Sequence, residues 1–328
     1  MNKLQTLDYQ GILDLNQVQL NARNKLNERI QNKKIIFEDV SCLCGSNEYD
    51  VISSIDRYGL EQQTVICKDC GLIRSNPRYI QEEYKLFYET DEYRLLYESN
   101  SIKECAMVNF DAAENLKDGQ NIIQIISKFK QIDNSVNILE FGCGGGWNLI
   151  PFVRRGANCI GIDYGKEYTQ LGREYGLNIL QGSLESVKGK YDIIILSHVL
   201  EHFLDPISDL KEIKSHLCEN GLLYISVPNI TNLSLAQIQS AHTYYFCPDN
   251  LQYYVQSAGF KIIDYGKSQN IHMYGLFKRG DIAPDINLLS LSKKNMYRVI
   301  KQMKVITYIK LMLKKLHLFE ILKTILKR

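Results

Sequence analysis

Between Asn137 and Gly165 the chain reads Asn-Ile-Leu-Glu-Phe-Gly-Cys-Gly-Gly-Gly-Trp and then, after a second apolar run, Gly-Ile-Asp. An acid, Glu140, stands two residues before the first of three alternating glycines, Gly142, Gly144 and Gly146. A second acid, Asp163, follows 21 residues after Gly142. Glycines at this spacing let a backbone turn sharply and let a ligand approach without Cβ obstruction. Amides at the start of a following helix would face that ligand. A carboxylate at the tip of the next strand can accept from both hydroxyls of a ribose. The elements needed are an apolar strand over 136–141, a glycine turn, a helix starting near Trp147 and a second strand ending at Asp163.

A dinucleotide fold uses the same parts, but its G-x-G-x-x-G pattern needs glycine at 147, where the chain has Trp147. Glu140 would also repel a pyrophosphate and attract an ammonium group. A ligand with an amino group, a carboxylate and an adenosine fits these residues, and S-adenosylmethionine (SAM) is such a ligand. Here the chain resembles the class I SAM-dependent methyltransferases, whose first motif is an acid followed by G-x-G-x-G. The resemblance implies a cofactor site of Glu140, Gly142, Gly144, Gly146 and Asp163. Gly182-Ser183-Leu184 falls where this family contacts adenine, with Ser183 where many relatives carry Asp; recognition there would lean on backbone groups and Leu184. An ordinary strand–turn–helix without a ligand is the competing reading.

Four cysteines form a second constellation: Cys42-Leu-Cys44-Gly, and after 22 residues Cys67-Lys-Asp-Cys70-Gly. Two close pairs, each followed by glycine, suit a four-thiolate tetrahedral zinc site whose role is structural, since four thiolates leave no open position. Strands over 49–52 and 64–67 would join the two halves, and metal would supply much of the folding energy of so small a segment. The first pair is C-x-C, a shorter bite than the standard knuckle, and four buried or reactive cysteines are the alternative. From Asp56 to Tyr97 the residues Asp-Arg-Tyr-Gly-Leu, Cys-x-x-Cys-Gly-Leu-Ile-x-x-Asn-Pro-Arg, Phe87-Tyr88 and Tyr93-Arg94 resemble methyltransferases with an N-terminal zinc-binding segment. Many of those act on sugars of bacterial surface polysaccharides, and the deoxysugar C-methyltransferases are relatives. The large C-terminal domain of the latter is not expected from these 328 residues, so C-methylation is not carried over. Tyr79, Tyr84, Phe87, Tyr88, Tyr93 and Tyr97 either pack within helices or form a lid that offers flat faces and hydroxyls to a carbohydrate.

Tyr191-Asp-Ile-Ile-Ile-Leu-Ser197-His198-Val-Leu-Glu201-His202-Phe-Leu-Asp205-Pro206 is a third block. An apolar strand ends at Ser197 and His198, where the resemblance puts the sulfonium, so both are expected cofactor or acceptor contacts. Asp205 and Pro206 start a helix as cap and first residue, ending near Asn220-Gly221. If the acceptor is a hydroxyl, a base must take its proton as the methyl group arrives. His202 is the first candidate and His242, in an insertion over 229–248, the second; His216, His272 and His317 are expected elsewhere.

The chain has 328 residues with ordinary apolar and charged fractions, 45% and 23%, enough for one large domain and small additions. From Lys293 onward there are eleven Lys or Arg against the single acid Glu320. The remainder is net acidic, which argues against nucleic acid as a partner. No window approaches a membrane span and Met1–Gln10 has no signal-peptide core, so a cytoplasmic location and reduced cysteines are expected.

The expected fold is α/β: a seven-stranded Rossmann-like methyltransferase sheet with a small zinc-binding segment and a helical basic tail. The expected boundaries are a helical lead-in at 1–35, the zinc segment at 36–78, an aromatic helical connector at 79–132, the SAM domain at 133–280 and the tail at 281–328. In the tail Val299, Ile300, Met303, Ile306, Ile309, Leu313 and Leu316 form an apolar stripe. That stripe packs on the chain itself or a second subunit, or lies peripherally on the inner membrane face through 293–328. The expected acceptor is a sugar, nucleotide- or lipid-linked. Another small molecule or a protein as acceptor, a NAD-dependent dehydrogenase and a non-catalytic zinc scaffold are the alternatives.

Overall fold

The computed structural model describes residues 13–89, 95–97, 102–115, 118–232, 237–269 and 272–315. Helix α1 (Gln17–Gln31) starts where Asn16 closes a capping box with Gln19, and it buries Leu26. Five short strands follow, β1 (Phe37–Glu38), β2 (Tyr49–Ile55), β3 (Glu61–Cys67), β4 (Ile73–Ser75) and β5 (Arg78–Tyr79), and then α2 (Gln81–Glu89), α3 (Ile102–Asn115) and α4 (Asp118–Ile126). Within the helical connector expected at 79–132 lie α2, α3 and α4. The main domain continues as β6 (Asn137–Phe141), α5 (Ile150–Val153), β7 (Asn158–Asp163), α6 (Lys166–Glu174), β8 (Ile179–Gln181), β9 (Tyr191–Ser197), α7 (Pro206–His216) and β10 (Leu217–Pro228). It closes with β11 (Tyr244–Tyr245), α8 (Pro248–Ser257), β12 (Phe260–Gln269), β13 (His272–Arg279) and α9 (Asn287–Lys315).

The seven-stranded Rossmann-like sheet expected from the sequence is present, in the order β12-β13-β10-β9-β6-β7-β8. All pairings are parallel except those of β13, which runs antiparallel to β10 and β12. The run Ile193–Leu196 is wholly buried, as a central parallel strand covered on both faces must be. From β6 the chain moves outward to β7 and β8, then returns to lay β9 on the other side of β6. The strand order thus reverses between β6 and β9, and open α/β sheets bind ligands in a crevice beyond the carboxyl ends of such strands.

Two local expectations are corrected. After the glycine turn there is only a 3₁₀ turn, Trp147–Leu149, leading into the four-residue α5, so a helix dipole adds little at this ligand site. The left-handed Gly146 and Pro151 near the start of α5 limit that helix. Helix α7 ends at His216, not near 220: Leu217 is fully buried and already pairs with Tyr191. Residues up to Leu222 then bulge before regular pairing resumes. Asp205 does cap α7, accepting from the Ser208 amide at 3.1 Å with Pro206 as its first residue.

The small sheet has the order β11-β4-β3-β2, so the insertion after β10 supplies its edge strand. Asp56 reinforces that closure from a position 1% exposed. Its Oδ1 accepts from the Tyr58 and Leu60 amides at 2.9 Å, and its Oδ2 from the Ser240 amide at 3.0 Å. Tyr79, Tyr84 and Phe87 are buried with Leu26, Leu60 and Ala241, so of the two aromatic readings packing holds for these three. Tyr88 is half-buried and Tyr97 exposed; Tyr93 lies outside the described residues. Asp56→Ala should strip acceptors from three amides and destabilise the protein by about 3 kcal/mol or more. Chemical denaturation checks this, and an unchanged midpoint would remove Asp56 as the tie.

Candidate active site and metal centre

Gly142, Gly144 and Gly146 have φ of +70°, +57° and +82°, a region that disfavours side chains. A Cβ on Gly142 would run into the Val199 side chain, and one on Gly144 would meet the Trp147 ring at 2.8 Å. Asp163 holds the turn: its Oδ2 accepts from the Gly144 amide at 2.8 Å and its Oδ1 from the Gly165 amide at 2.7 Å. Each carboxylate oxygen has two lone pairs, so both can still accept from a diol. The Gly182 amide donates to the Asp163 carbonyl at 3.0 Å, which brings Ser183 and the buried Leu184 to the same end of the sheet. Ser197 lies half-buried at the end of β9.

Glu140 is 1% exposed. Its Oε1 accepts from Asn148 Nδ2 at 2.8 Å, whereas its Oε2 and Asn148 Oδ1 have no hydrogen-bond partner. Burial raises the Glu140 pKa to about 8; the Asn148 amide opposes this, and the charges of Asp163 and Asp118 add to it. With Glu140 ionised, its Oε2 and Asn148 Oδ1 are two orphaned acceptors, and a cation with several N–H groups, such as an ammonium, provides a donor. The residues present therefore fit SAM: a diol acceptor at Asp163, an ammonium partner at Glu140 and a backbone turn closed to side chains.

Four histidines gather around Glu201 beyond β9. His198 has a left-handed backbone, φ +58°, a conformation that persists in a non-glycine residue only when its surroundings enforce it. Its Nδ1 lies 3.4 Å from Glu201 Oε1, and the Glu201 side chain is 2% exposed. Burial pushes the His198 pKa down, but the Glu201 hydrogen bond and the charges of Glu201 and Asp118 reverse this to a net rise. For Glu201, burial acts upward and is outweighed by His198 and His202. The His272 ring is centred 4.2 Å from that of His198, with its pKa lowered to about 4 by burial and then by His198. This corrects the expectation that His272 falls elsewhere. His216 does lie elsewhere, its Nδ1 3.1 Å from the Gly189 carbonyl oxygen, and His317 is outside the described residues.

His202 and His242 come together, with ring centroids 4.9 Å apart. His202 Nδ1 lies 2.8 Å from the Ala241 carbonyl oxygen and 2.8 Å from the Tyr88 hydroxyl. A proton on Nδ1 satisfies that carbonyl and leaves the basic lone pair on Nε2. His242 is 6% exposed and bonds through Nε2 to the Gln239 amide. Burial, followed by the charges of its neighbours, keeps its pKa well below the ordinary value, so His242 is a poor proton acceptor. Sequence reasoning missed Glu201, Asn148, His272 and the contact of Tyr88 with His202; the V-L-E-H run was the one local signal for Glu201.

The cysteines converge as their spacing suggests. Cys42 and Cys70 Sγ are 3.5 Å apart, Cys44 and Cys67 Sγ 3.6 Å, and all four sulfurs lie within 4.8 Å of one another. A zinc tetrathiolate with bonds of about 2.3 Å has sulfur–sulfur edges of about 3.8 Å, so the C-x-C bite is compatible with the metal. The Leu72 amide and the Tyr254 hydroxyl both reach Cys70 Sγ at 3.4 Å, and such donors orient thiolate ligands. Purified protein should contain about one zinc per chain, and Cys70→Ser or a strong chelator should lower its melting temperature. Metal analysis giving none, in protein that melts normally, would remove the assignment.

Residues 111–265 match the family described as Methyltransferase domain. The chain is 29% identical over 123 residues to a ubiquinone biosynthesis O-methyltransferase of Pelagibacter ubique, covering 34% of this chain and 51% of that one. It is 26% identical over 176 residues to the Acinetobacter baylyi protein of the same name, 46% of this chain and 73% of that one. It spans about half the length of several such curated relatives. Among solved structures, magnesium protoporphyrin IX methyltransferase from Synechocystis is 16% identical with a TM-score of 0.45, over 60% of this chain and 98% of that one. The likeness to methyltransferase domains takes in the glycine turn, Glu140, Asp163, His198, His202 and His242.

Proposed function

We propose that the chain is a SAM-dependent methyltransferase acting on a hydroxyl of a sugar, nucleotide- or lipid-linked, in bacterial surface polysaccharide synthesis. One observation carries the cofactor assignment: buried Glu140, with an orphaned oxygen, stands across the glycine turn from an Asp163 that can accept from a diol. The methyltransferase-domain match over residues 111–265 supports it. The acceptor assignment rests on the resemblance of the stretch from Asp56 to Tyr97 to sugar methyltransferases with a zinc-binding segment. A second reading, a phenolic hydroxyl, is favoured by the names of the curated relatives. Screening nucleotide sugars against catechols and phenols separates the two, and turnover of only the latter would end the sugar reading.

When bound, SAM supplies an electrophilic methyl group on sulfur. Glu140 would hold its ammonium group and Asp163 its ribose hydroxyls, which leaves positioning of the acceptor as the protein's main task. His202 would take the hydroxyl proton on Nε2, with the Ala241 carbonyl fixing its tautomer. Ser197 and His198, at the end of β9, would border the methyl group.

Asp163→Ala should weaken SAM binding tenfold or more, since each charge-assisted hydrogen bond contributes roughly 1.5–3 kcal/mol. Unchanged affinity in calorimetry would defeat that role.

Glu140, with its pKa raised to about 8, is largely protonated at neutral pH and must ionise to pair with an ammonium. Binding near pH 7 should therefore release a proton and tighten as pH rises towards 8. Glu140→Gln should abolish the release, read from binding enthalpies in buffers of different ionisation heat. A release that persists in the variant would show that another group titrates.

His202→Gln should keep SAM affinity and fold yet lose roughly 10²–10⁴ in rate. Near-normal turnover would mean that positioning alone suffices.

A further inference from the structure

Helix α9 changes character partway along. Its first half packs on the small sheet: Met296, Val299, Ile300 and Met303 are buried with Ile52, Ile66, Ile73 and Tyr245. Tyr297 donates to Asp50 at 2.9 Å and Asn295 to Asp249 at 3.0 Å. The helix then continues from residue 304 to Lys315, about 18 Å at 1.5 Å per residue. Over that length Val305, Ile306, Tyr308, Ile309 and Met312 are 54%, 52%, 63%, 50% and 42% exposed.

Apart from Ile306, which falls near the line of Val299, these residues do not continue the packed seam. At about 100° per residue, they span an arc of roughly 160° centred well over 90° away from the face that carries Met296, Val299 and Met303. Traced back towards the start of the helix, the outward face runs through Lys301, Arg298 and Lys294, all exposed. Positions 294, 298, 301, 305, 308 and 312 recur at spacings of three and four, so one continuous face has three cations followed by large apolar side chains.

We infer that this face docks on an anionic lipid surface. A basic face that gives way to a broad apolar arc is the pattern of a helix lying in a membrane interface. Among the described residues no helix is long and apolar enough to cross a membrane, so the helix would lie on the surface. From Lys293 onward eleven cations face one acid, and nine of the eleven are lysines. Lysine acts as a point charge without the fork geometry that arginine brings to fixed partners, which suits a fluid array of headgroups. Parallel pairing of this face with a second copy would set like charges together, and antiparallel pairing would set each copy's cations against the other's apolar residues. A nucleic acid would leave Ile306, Ile309 and Met312 in water.

The test is cosedimentation of the full chain with vesicles, which reads binding and not turnover. The wild type should bind phosphatidylglycerol-containing vesicles and not pure phosphatidylcholine, with binding falling steeply as salt is raised. Val305→Asp/Ile309→Asp changes two half-exposed residues and should cut binding about tenfold or more. Absent binding to anionic vesicles would overturn the inference, as would equal binding by the variant or equal binding to both vesicle types. A dimer that the double variant dissolves, with no vesicle binding, would overturn it in favour of a second copy as the partner.

Discussion

A carboxylate placed on a central strand and withdrawn from water carries a large desolvation penalty unless its oxygens find donors. Glu140 has a donor for one oxygen and none for the other. The sheet offers no simple relief, because β6 is flanked by β7 and β9 and its neighbours are packed. Protonation relieves the penalty at neutral pH, and a cation bound beside Glu140 would relieve it with the charge restored, which makes Glu140 a selector as well as a strand residue. Around it the chain reserves space: the turn excludes side chains at Gly142 and Gly144, and Asp163 uses backbone amides to hold the turn open.

The cysteine cluster belongs to the same construction. Cys42, Cys67, Cys70 and Leu72 are buried in one cluster with residues of the main sheet and α8, and Tyr254 joins Cys70 to that helix. The small sheet takes its edge strand from the insertion at 244–245, and Asp56 ties the same insertion through Ser240. Ala241 and His242 follow directly, so the loop that supplies the carbonyl to His202 is held by the cysteine-bearing segment. The loop beside the histidines is thus tied to the cysteine-bearing segment by the pairing of Tyr244 with Arg74 and by the Asp56 carboxylate, 184 residues from Ser240.

Helix α9 adds a second use of that small sheet. Its packed half covers the sheet's apolar side, while its outward face keeps cations and apolar residues in water. The sheet is therefore both a wall of the candidate site and the anchor of an exposed amphipathic face.

Much of this was legible from the sequence. Strand periodicity and the glycine spacing identify β6, β7 and the turn between them. Asp205-Pro206 marks the start of α7, and the paired cysteines mark the metal-competent cluster. Each is a local pattern, in which residues a few positions apart share a backbone constraint. The histidine cluster was only partly legible. His202 and His242 stand out as residue types, but the approach of His272 to His198 follows from the antiparallel pairing of β13 with β10. The burial of Glu201, the reach of Tyr88 to His202 and the bridging by Asp56 also depend on contacts between distant segments, which no local periodicity encodes. The sequence by itself determined which residues could do chemistry and on which elements they lie. Only the tertiary structure decided which of them meet, because those meetings arise from strand crossovers and loop closures made once the apolar faces are buried.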